Sequence, residues 1–200
     1  MSGWLYWHPF IYNVALSILY GGKTRAKERF SRIANEVEES DVVVDLCAGN
    51  SYLLDALENK IIDYQAYDVN DRFVKALKRR GASAYCCDVR KINVPEADVI
   101  VMASALYHFH PNCAQILERM LASARKKVIL VEPVKNAVNS SNCILSAFAR
   151  KAGQIGNDEI SYRFDLDDLV QLLESLKVPN HSELISGGRD MLVVFDLQEV

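Results

Sequence analysis

From Val42 to Val131, short apolar runs rich in β-branched residues alternate with segments of helical spacing. The clearest run, Val42–Leu46, reads VVVDL and is typical of a strand buried on both faces of a sheet. Parallel strands need crossover connections, which are usually helices, so this alternation indicates an α/β fold. We therefore predict a doubly wound, mostly parallel sheet with helices on both faces.

These patterns place the elements along the chain. The predicted strands cover residues 42–46, 64–67, 84–87, 98–103, 127–131, 181–186 and 191–197. The predicted helices cover residues 10–20, 24–37, 51–59, 71–80, 112–124, 140–151 and 166–176. The loop 187–190 separates the last two strands, so they form a hairpin that adds an antiparallel strand.

Composition is that of an ordinary soluble globular protein. Of the 200 residues, 50% are hydrophobic and 24% are charged, which excludes a disordered chain, a collagen-like repeat and a coiled coil. The formal net charge of -3 gives no electrostatic reason to expect a nucleic-acid partner. We predict one domain, in which a helical extension or lid (residues 1–40) precedes the sheet (residues 41–200).

The cysteines are too scattered for a disulfide framework or a zinc site. They stand at positions 47, 86, 87, 113 and 143, and none forms a C-x-x-C pair. The apolar stretch at residues 9–20 is shorter than the ~20 residues that span a bilayer, and no targeting signal is evident. The sequence therefore predicts a cytoplasmic protein without a metal site.

Small and acidic residues follow the predicted strands, at the edge where open α/β sheets bind ligands. After Asp45, the first strand runs into Cys47-Ala48-Gly49, and the glycine permits close approach of a ligand to the backbone. Asp68 follows the second strand, and its distance from the first strand, about 20 positions, is typical of a carboxylate that binds ribose hydroxyls.

The third, fourth and fifth strands end in equally distinctive residues. Asp88 and Val89 follow the third strand, where a carboxylate beside an apolar side chain suits the amine and ring face of an adenine. Ala103 and the segment 104–110 follow the fourth strand, and Glu132 follows the fifth.

This order of strand-end residues, over residues 42–135, resembles the class I, Rossmann-like S-adenosylmethionine-dependent methyltransferases. That family's first motif is D-x-G-x-G-x-G, and the chain keeps Asp45 and the central Gly49 with Cys47 and Ser51 at the outer positions. A small residue at Cys47 fits if the turn keeps a negative φ, and Ser51 would cap the next helix. The family's sheet has seven strands with an antiparallel last strand, which the terminal hairpin fits.

The resemblance implies an S-adenosylmethionine site along these strand ends. Residues after the first and fourth strands would hold the methionine moiety, and residues after the second and third would bind the ribose and the adenine. The implied cofactor-binding residues are Asp45, Cys47, Ala48, Gly49, Asp68, Val69, Asp88, Val89 and Ala103.

The implied reaction is an in-line transfer of the sulfonium methyl group to an acceptor. The segment 106–110 would lie between cofactor and acceptor, so His108 and Tyr107 are the predicted catalytic residues, with Glu132 as an alternative base. A short region after the fifth strand and the N-terminal extension favour a small-molecule or lipid-like acceptor. The sequence predicts no oligomeric state.

The N-terminal extension is rich in aromatic residues, and basic residues follow them. In the family such an extension often forms a lid over the acceptor, and the same composition suits docking on a membrane surface. The alternative is a helix packed on the domain with a solvated basic face. The residues are Trp4, Tyr6, Trp7, Phe10, Tyr12, Tyr20, Lys23, Arg25, Lys27, Arg29 and Arg32.

Structural roles are the alternative for most of these residues. An aspartate after a strand also caps the next helix, so Asp68 and Asp88 can serve the fold alone. Asp45 lies within an apolar run, where an unpaired charge is costly, and this favours a functional role. For His108 a structural hydrogen bond is the alternative, and His110 is interpreted as structural.

Two other functions fit less of the sequence. A non-catalytic S-adenosylmethionine-binding or scaffold protein is compatible with the substituted glycines. A nicotinamide-dependent oxidoreductase predicts G-x-G-x-x-G after the first strand, which residues 47–52 do not supply.

Overall fold

The structure, a computed structural model, describes residues 22–50, 52–135 and 162–198, with side chains from residue 27 onward. The predicted helices over residues 10–20 and 140–151 lie outside the described residues, as does the predicted cap at Ser51. Within the described parts, no helix is long and apolar enough to cross a membrane.

Helices and strands alternate along the chain as the apolar runs predict. The helices are α1 (Gly22–Asn35), α2 (Tyr52–Ala56), α3 (Asp71–Arg79), α4 (Cys113–Ser123) and α5 (Leu166–Leu176). The strands are β1 (Val42–Leu46), β2 (Asp63–Asp68), β3 (Ser83–Cys86), β4 (Ala97–Ala103), β5 (Ala124–Pro133), β6 (His181–Ile185) and β7 (Asp190–Asp196). Short 3₁₀ turns cover Val89–Lys91 and Leu106–Phe109.

The strands form one seven-stranded sheet in the order β3-β2-β1-β4-β5-β7-β6. Pairing is parallel from β3 through β5, and β7 runs antiparallel to both β5 and β6. The predicted fold class is therefore confirmed, including the antiparallel last strand. Strand order reverses between β1 and β4, so the crevice for a ligand opens at the carboxyl ends of these two strands.

Apolar side chains cover both faces of the sheet. One face packs against α4 and α5 through residues such as Leu117 and Leu169, and the other packs against α1 and α3 through Ile33 and Leu77. All four side chains are at most 1% exposed. Strand β1 has an apolar core on each face, with Val44 buried in one and Val43 in the other. This explains its unbroken apolar run.

Local chemistry sets several boundaries. Asn70 caps α3 by accepting a hydrogen bond from the backbone N–H of Arg72 at 3.0 Å, and Asp165 caps α5 by accepting one from Asp168 at 2.9 Å. The helix after β1 is shorter than predicted, since it ends at Ala56. Asp190, predicted in the hairpin loop, instead begins β7, where it pairs with Pro133.

Candidate functional site

The loops that follow β1, β2 and β3 are tied together by hydrogen bonds. The backbone N–H of Ala48 donates to the carbonyl of Tyr67 at 3.2 Å, and the N–H of Cys87 donates to the carbonyl of Asp68 at 2.9 Å. The N–H of Gly49 donates to Oδ2 of Asp68 at 2.8 Å. The structure thus brings together the residues predicted at three separate strand ends.

Asp68 is the centre of this arrangement. Its side chain is 2% exposed, and its other oxygen, Oδ1, accepts a hydrogen bond from the N–H of Asn70 at 2.7 Å. Asp68 therefore holds the loop after β1 in place at the position predicted for the ribose. Val69, next to it, is 43% exposed, as an adenine-contacting side chain requires.

Asp45 is buried within β1 and bound by a tyrosine. The hydroxyl of Tyr64 donates to Oδ2 of Asp45 at 2.6 Å. Burial raises the pKa of Asp45 to about 7, the bond from Tyr64 opposes that rise, and the charge of Asp68 adds to it. The carboxyl group that the sequence leaves without a partner in an apolar run has a structural partner in Tyr64.

The loop after β1 has an unusual backbone. Cys47 has φ of 59° and Gly49 has φ of 58°, so both take the left-handed conformation. The condition under which a small residue fits at Cys47, a negative φ, is therefore not met, and a non-glycine residue there carries roughly 1 kcal/mol of strain. A Cβ added at Gly49 would meet nothing within 4 Å, so this side of the loop faces open space.

The charges of three acidic residues act on the thiol of Cys47. Burial raises the pKa of this thiol well above its usual range, and the charges of Asp68, Asp45 and Asp88 raise it further. The strand ends therefore concentrate negative charge on the side of the crevice that is predicted to take the ribose and adenine. The cysteine itself stays a neutral thiol.

Asp88 serves as the cap of a 3₁₀ turn. Its Oδ1 accepts a hydrogen bond from the backbone N–H of Arg90 at 3.0 Å, and its carboxylate also pairs with the Arg90 guanidinium at 2.9 Å. These contacts lower the pKa of Asp88. Val89 is only 3% exposed and packs in the core, so its side chain has little surface left for the predicted adenine contact, which stays a prediction.

On the other side of the crevice, Glu132 braces the segment that follows β4. Its side chain is fully buried, and Oε1 accepts hydrogen bonds from the N–H groups of Ala105 and Leu106 at 2.7 and 2.6 Å. Burial raises the pKa of Glu132 to about 7. Ala103, at the end of β4, is half-buried beside this segment.

The two predicted catalytic residues lie in that same segment. The rings of Tyr107 and His108 have centroids 4.0 Å apart, and the guanidinium of Arg163 stacks over Tyr107 at 3.8 Å. Burial, with the charges of Arg163 and Arg90, lowers the pKa of His108 to about 3. Such a ring is a weak base, which does not suit proton removal from an acceptor. His110 stacks on Tyr162 at 3.7 Å.

Solved structures similar to this chain are methyltransferases. Magnesium protoporphyrin IX methyltransferase from Synechocystis PCC 6803, with bound SAH, matches with a TM-score of 0.65 and 10% identity, over 86% of this chain and 82% of that one. An O-methyltransferase family protein from Burkholderia thailandensis matches with a TM-score of 0.64 and 14% identity, over 94% of this chain and 59% of that one.

The plantazolicin methyltransferase BpumL, in complex with a triazolic desmethylPZN analog and SAH, matches with a TM-score of 0.64 and 11% identity, over 86% of this chain and 83% of that one. No protein-family model and no curated protein matches the sequence. The chain has the fold of the class I methyltransferases. The resemblance predicted from the strand-end residues is thereby confirmed at the level of the fold.

Sequence reasoning missed two arginines at the carboxyl edge of this methyltransferase fold. Arg29, for which a solvated basic face was one of the alternatives, pairs with buried Asp190 at 2.7 Å and donates to Oγ of Ser104 at 2.7 Å. Arg163 is 8% exposed and lies against Tyr107. Neither residue stands in a motif, so only the tertiary structure reveals them.

A metal centre finds no support in the part of the chain that is described. Among those residues, no group of three or more histidine, cysteine or acidic side chains could hold an ion. The candidate site of this methyltransferase fold is therefore the crevice between the acidic loops after β1–β3 and the segment after β4.

We expect the His108 ring to stay neutral from about pH 8 down to about pH 4, because its pKa is near 3. Ring-nitrogen shifts in NMR spectra, assigned by the signal lost in His108→Gln, measure this directly. The Arg163→Met variant removes one nearby positive charge and should raise the pKa of His108. Protonation of wild-type His108 above about pH 5 would contradict the expected effect of its burial.

Proposed function

We propose that this chain is an S-adenosylmethionine-dependent methyltransferase that acts on a small-molecule or lipid-like acceptor. One observation carries the proposal: Asp68 binds the N–H of Gly49, which fixes the loop after β1 against the end of β2 at the point where strand order reverses. A crevice at that point is where doubly wound sheets bind nucleotides. The solved structures with bound SAH support the choice of nucleotide.

The residues at the strand ends fit this cofactor. Gly49 leaves open space against the loop, and the carboxylate of Asp68, at the end of β2 beside exposed Val69, would bind the ribose hydroxyls. When bound, the cofactor supplies an activated methyl group on a sulfonium sulfur. Asp45 and the backbone of residues 47–49 would hold its methionine moiety, and Ala103 would border it.

The acceptor side would orient the reactants and exclude water. Glu132 fixes the backbone of Ala105 and Leu106, and so positions Tyr107 and His108 at the edge of the crevice. Glu132 is fully buried, with Oε1 occupied by two N–H groups and Oε2 without a hydrogen-bond partner among the described residues, and His108 is a weak base. These residues therefore favour an acceptor whose attacking atom needs no strong base, and catalysis by proximity and orientation.

Calorimetric titration with S-adenosylmethionine, S-adenosylhomocysteine and NADH tests the cofactor. We expect both sulfur nucleotides to bind and NADH not to bind. The Asp68→Ala variant should weaken binding at least about tenfold, because it loses the ribose acceptor and the bond to Gly49.

Asp63→Ala is the matched control, since Asp63 is exposed at the opposite end of the same strand, β2. The affinity of Asp63→Ala for the two sulfur nucleotides should equal that of the wild-type chain. Wild-type protein that is folded but binds neither sulfur nucleotide would refute the cofactor assignment. Binding without methyl transfer to any acceptor in a broad screen would instead favour the non-catalytic alternative.

A further inference from the structure

A buried arginine lies beside the segment that follows β4. Arg163 precedes α5, is 8% exposed, and places its guanidinium carbon 3.8 Å from the centre of the Tyr107 ring. Its Nη1 donates to the carbonyl of Tyr162 at 2.7 Å. Within residues 22–50, 52–135 and 162–198, no carboxylate forms an ion pair with this guanidinium.

Among the described residues, the nearby carboxylates form no ion pair with Arg163. Oε2 of Glu132 is buried without a hydrogen-bond partner there, and Glu132 is close enough for the charge of Arg163 to oppose the burial that raises its pKa. Oε1 of Glu132 accepts the N–H groups of Ala105 and Leu106. Asp165 caps α5 by accepting from the N–H of Asp168 at 2.9 Å, and the hydroxyl of Tyr162 lies 3.4 Å from the carboxylate of Asp168. Among the described residues, the ring of Tyr107 lies against the Arg163 guanidinium, and no carboxylate forms a direct ion pair with it.

A guanidinium in this position has donors to spare. Arginine carries five N–H groups, and among the described residues one nitrogen of Arg163 donates a hydrogen bond. A buried cation without a counter-ion is unfavourable, and stacking on a tyrosine offsets only part of the cost. An anion that accepts the remaining N–H groups would complete the site, most effectively by a bidentate pair.

A second polar group nearby has no partner. Nδ1 of His108 is buried and makes no hydrogen bond among the described residues. The His108 ring contacts the same tyrosine as Arg163, since its centroid is 4.0 Å from that of Tyr107. The guanidinium and the imidazole therefore flank one ring, and both have hydrogen-bonding capacity left for a ligand.

The charges of the crevice divide it into two sides. Asp45 and Asp68 lie at the ends of β1 and β2, where an anion would be repelled, whereas the charge of Asp88 is balanced by Arg90. Arg163 lies by the segment after β4, on the side left for the acceptor. An anionic group would therefore bind at Arg163 and not at the nucleotide end.

We propose that Arg163 binds an anionic oxygen group, a carboxylate or a phosphate, on the methyl acceptor. The inference rests on the proposed function and specifies its substrate class. The body of such an acceptor is aromatic or otherwise apolar, because the ring of Tyr107 lies against the arginine and the preceding residue, Tyr162, is half-buried.

Benzoate, phenyl phosphate and benzamide are the probes, titrated by calorimetry into protein saturated with S-adenosylhomocysteine and into protein without it. We expect at least one of the two anions to bind about tenfold or more tightly than neutral benzamide. Whichever of benzoate and phenyl phosphate binds more tightly identifies the anionic group as a carboxylate or a phosphate. Arg163→Met should abolish the preference, and Arg163→Lys should keep part of it, because lysine keeps the charge without the planar fork.

Arg79→Met is the control, since Arg79 is exposed at the end of α3 and should leave the preference unchanged. Thermal unfolding and S-adenosylhomocysteine affinity show whether each variant is folded. If Arg163→Met does not fold, the anion preference of Arg163→Lys tests the inference. Equal binding of all three probes, binding of none, or a preference that survives in Arg163→Met would overturn the inference. If wild-type protein does not bind S-adenosylhomocysteine, that separate result would overturn the proposed function.

Discussion

The Asp45→Asn variant is expected to be more stable than the wild-type chain at about pH 8 and to differ little from it at about pH 4. Asp45 lies within β1 and is 3% exposed, with one hydrogen bond from Tyr64. Its pKa is raised from the ordinary 3.8 to about 7 by burial. At alkaline pH the wild-type chain must therefore keep a poorly solvated charge in its central sheet.

The direction of the pH effect follows from proton binding. The folded chain holds the Asp45 proton more tightly than the unfolded chain does, so the free energy of unfolding falls as the pH rises from about 4 to about 7. Above about pH 7 this decrease in the free energy of unfolding is complete. It amounts to on the order of 4 kcal/mol, since each pKa unit corresponds to about 1.4 kcal/mol. An amide has no proton to lose, so Asp45→Asn escapes this loss.

Urea unfolding at several pH values measures the difference. Glu132, whose pKa is also about 7, is present in both proteins, so the comparison isolates Asp45. Asp41→Asn is the contrasting control: Asp41 is 1% exposed and pairs with Lys126 at 2.6 Å, so this variant should lose stability. Equal pH dependence in wild-type and Asp45→Asn proteins would show that Asp45 is not the group responsible.

The same variant separates stability from function. If Asp45 helps to hold the methionine moiety, Asp45→Asn should bind S-adenosylmethionine more weakly while it unfolds less readily. Gain of stability with loss of affinity is expected of a buried charge that is retained for binding. If the affinity of Asp45→Asn for S-adenosylmethionine is unchanged, Asp45 serves the fold through its hydrogen bond from Tyr64 and not the cofactor.

The sheet could be predicted because its determinants are local. The runs that form β1, β4 and β5 are continuous and β-branched since both faces are covered, and the acidic residues at the ends of β1 and β2 mark where they stop. The capping role of Asp88 is also local, because its partner Arg90 is two residues away. That contact joins near neighbours in the sequence, and it supports the structural alternative for Asp88.

The acceptor side could not be predicted, because its contacts join distant parts of the chain. Arg163 meets Tyr107 only when α5 packs on α4, and Arg29 meets Asp190 across 161 positions. A basic helix next to an aromatic segment looks the same in sequence whether its arginines face water or the sheet. The backbone of Cys47 is a similar case, since a cysteine gives no local signal for a left-handed conformation.

Replacement of Arg29 by methionine is expected to lower the free energy of unfolding by about 3–5 kcal/mol. Nε and Nη2 of Arg29 both donate to Oδ2 of Asp190, at 3.3 and 2.7 Å, and Asp190 is 1% exposed. Methionine fills similar space but leaves that carboxylate buried without its counter-charge. Arg32→Met is the matched control on the same helix: Arg32 pairs with Glu183 near the surface, where such pairs contribute about 1 kcal/mol or less.

Urea unfolding of a double variant, Arg29→Met with Asp190→Asn, isolates the cause. If the buried charge of Asp190 is responsible, the second substitution should restore more than half of the lost stability. No recovery would mean that the loss comes from packing or from the bond of Arg29 to Ser104. Ser104 follows β4 and Asp190 begins β7, so Arg29 joins α1 to two strands at the carboxyl edge. Its loss should therefore loosen the acceptor side before the nucleotide side, where Asp68 still holds the loop after β1.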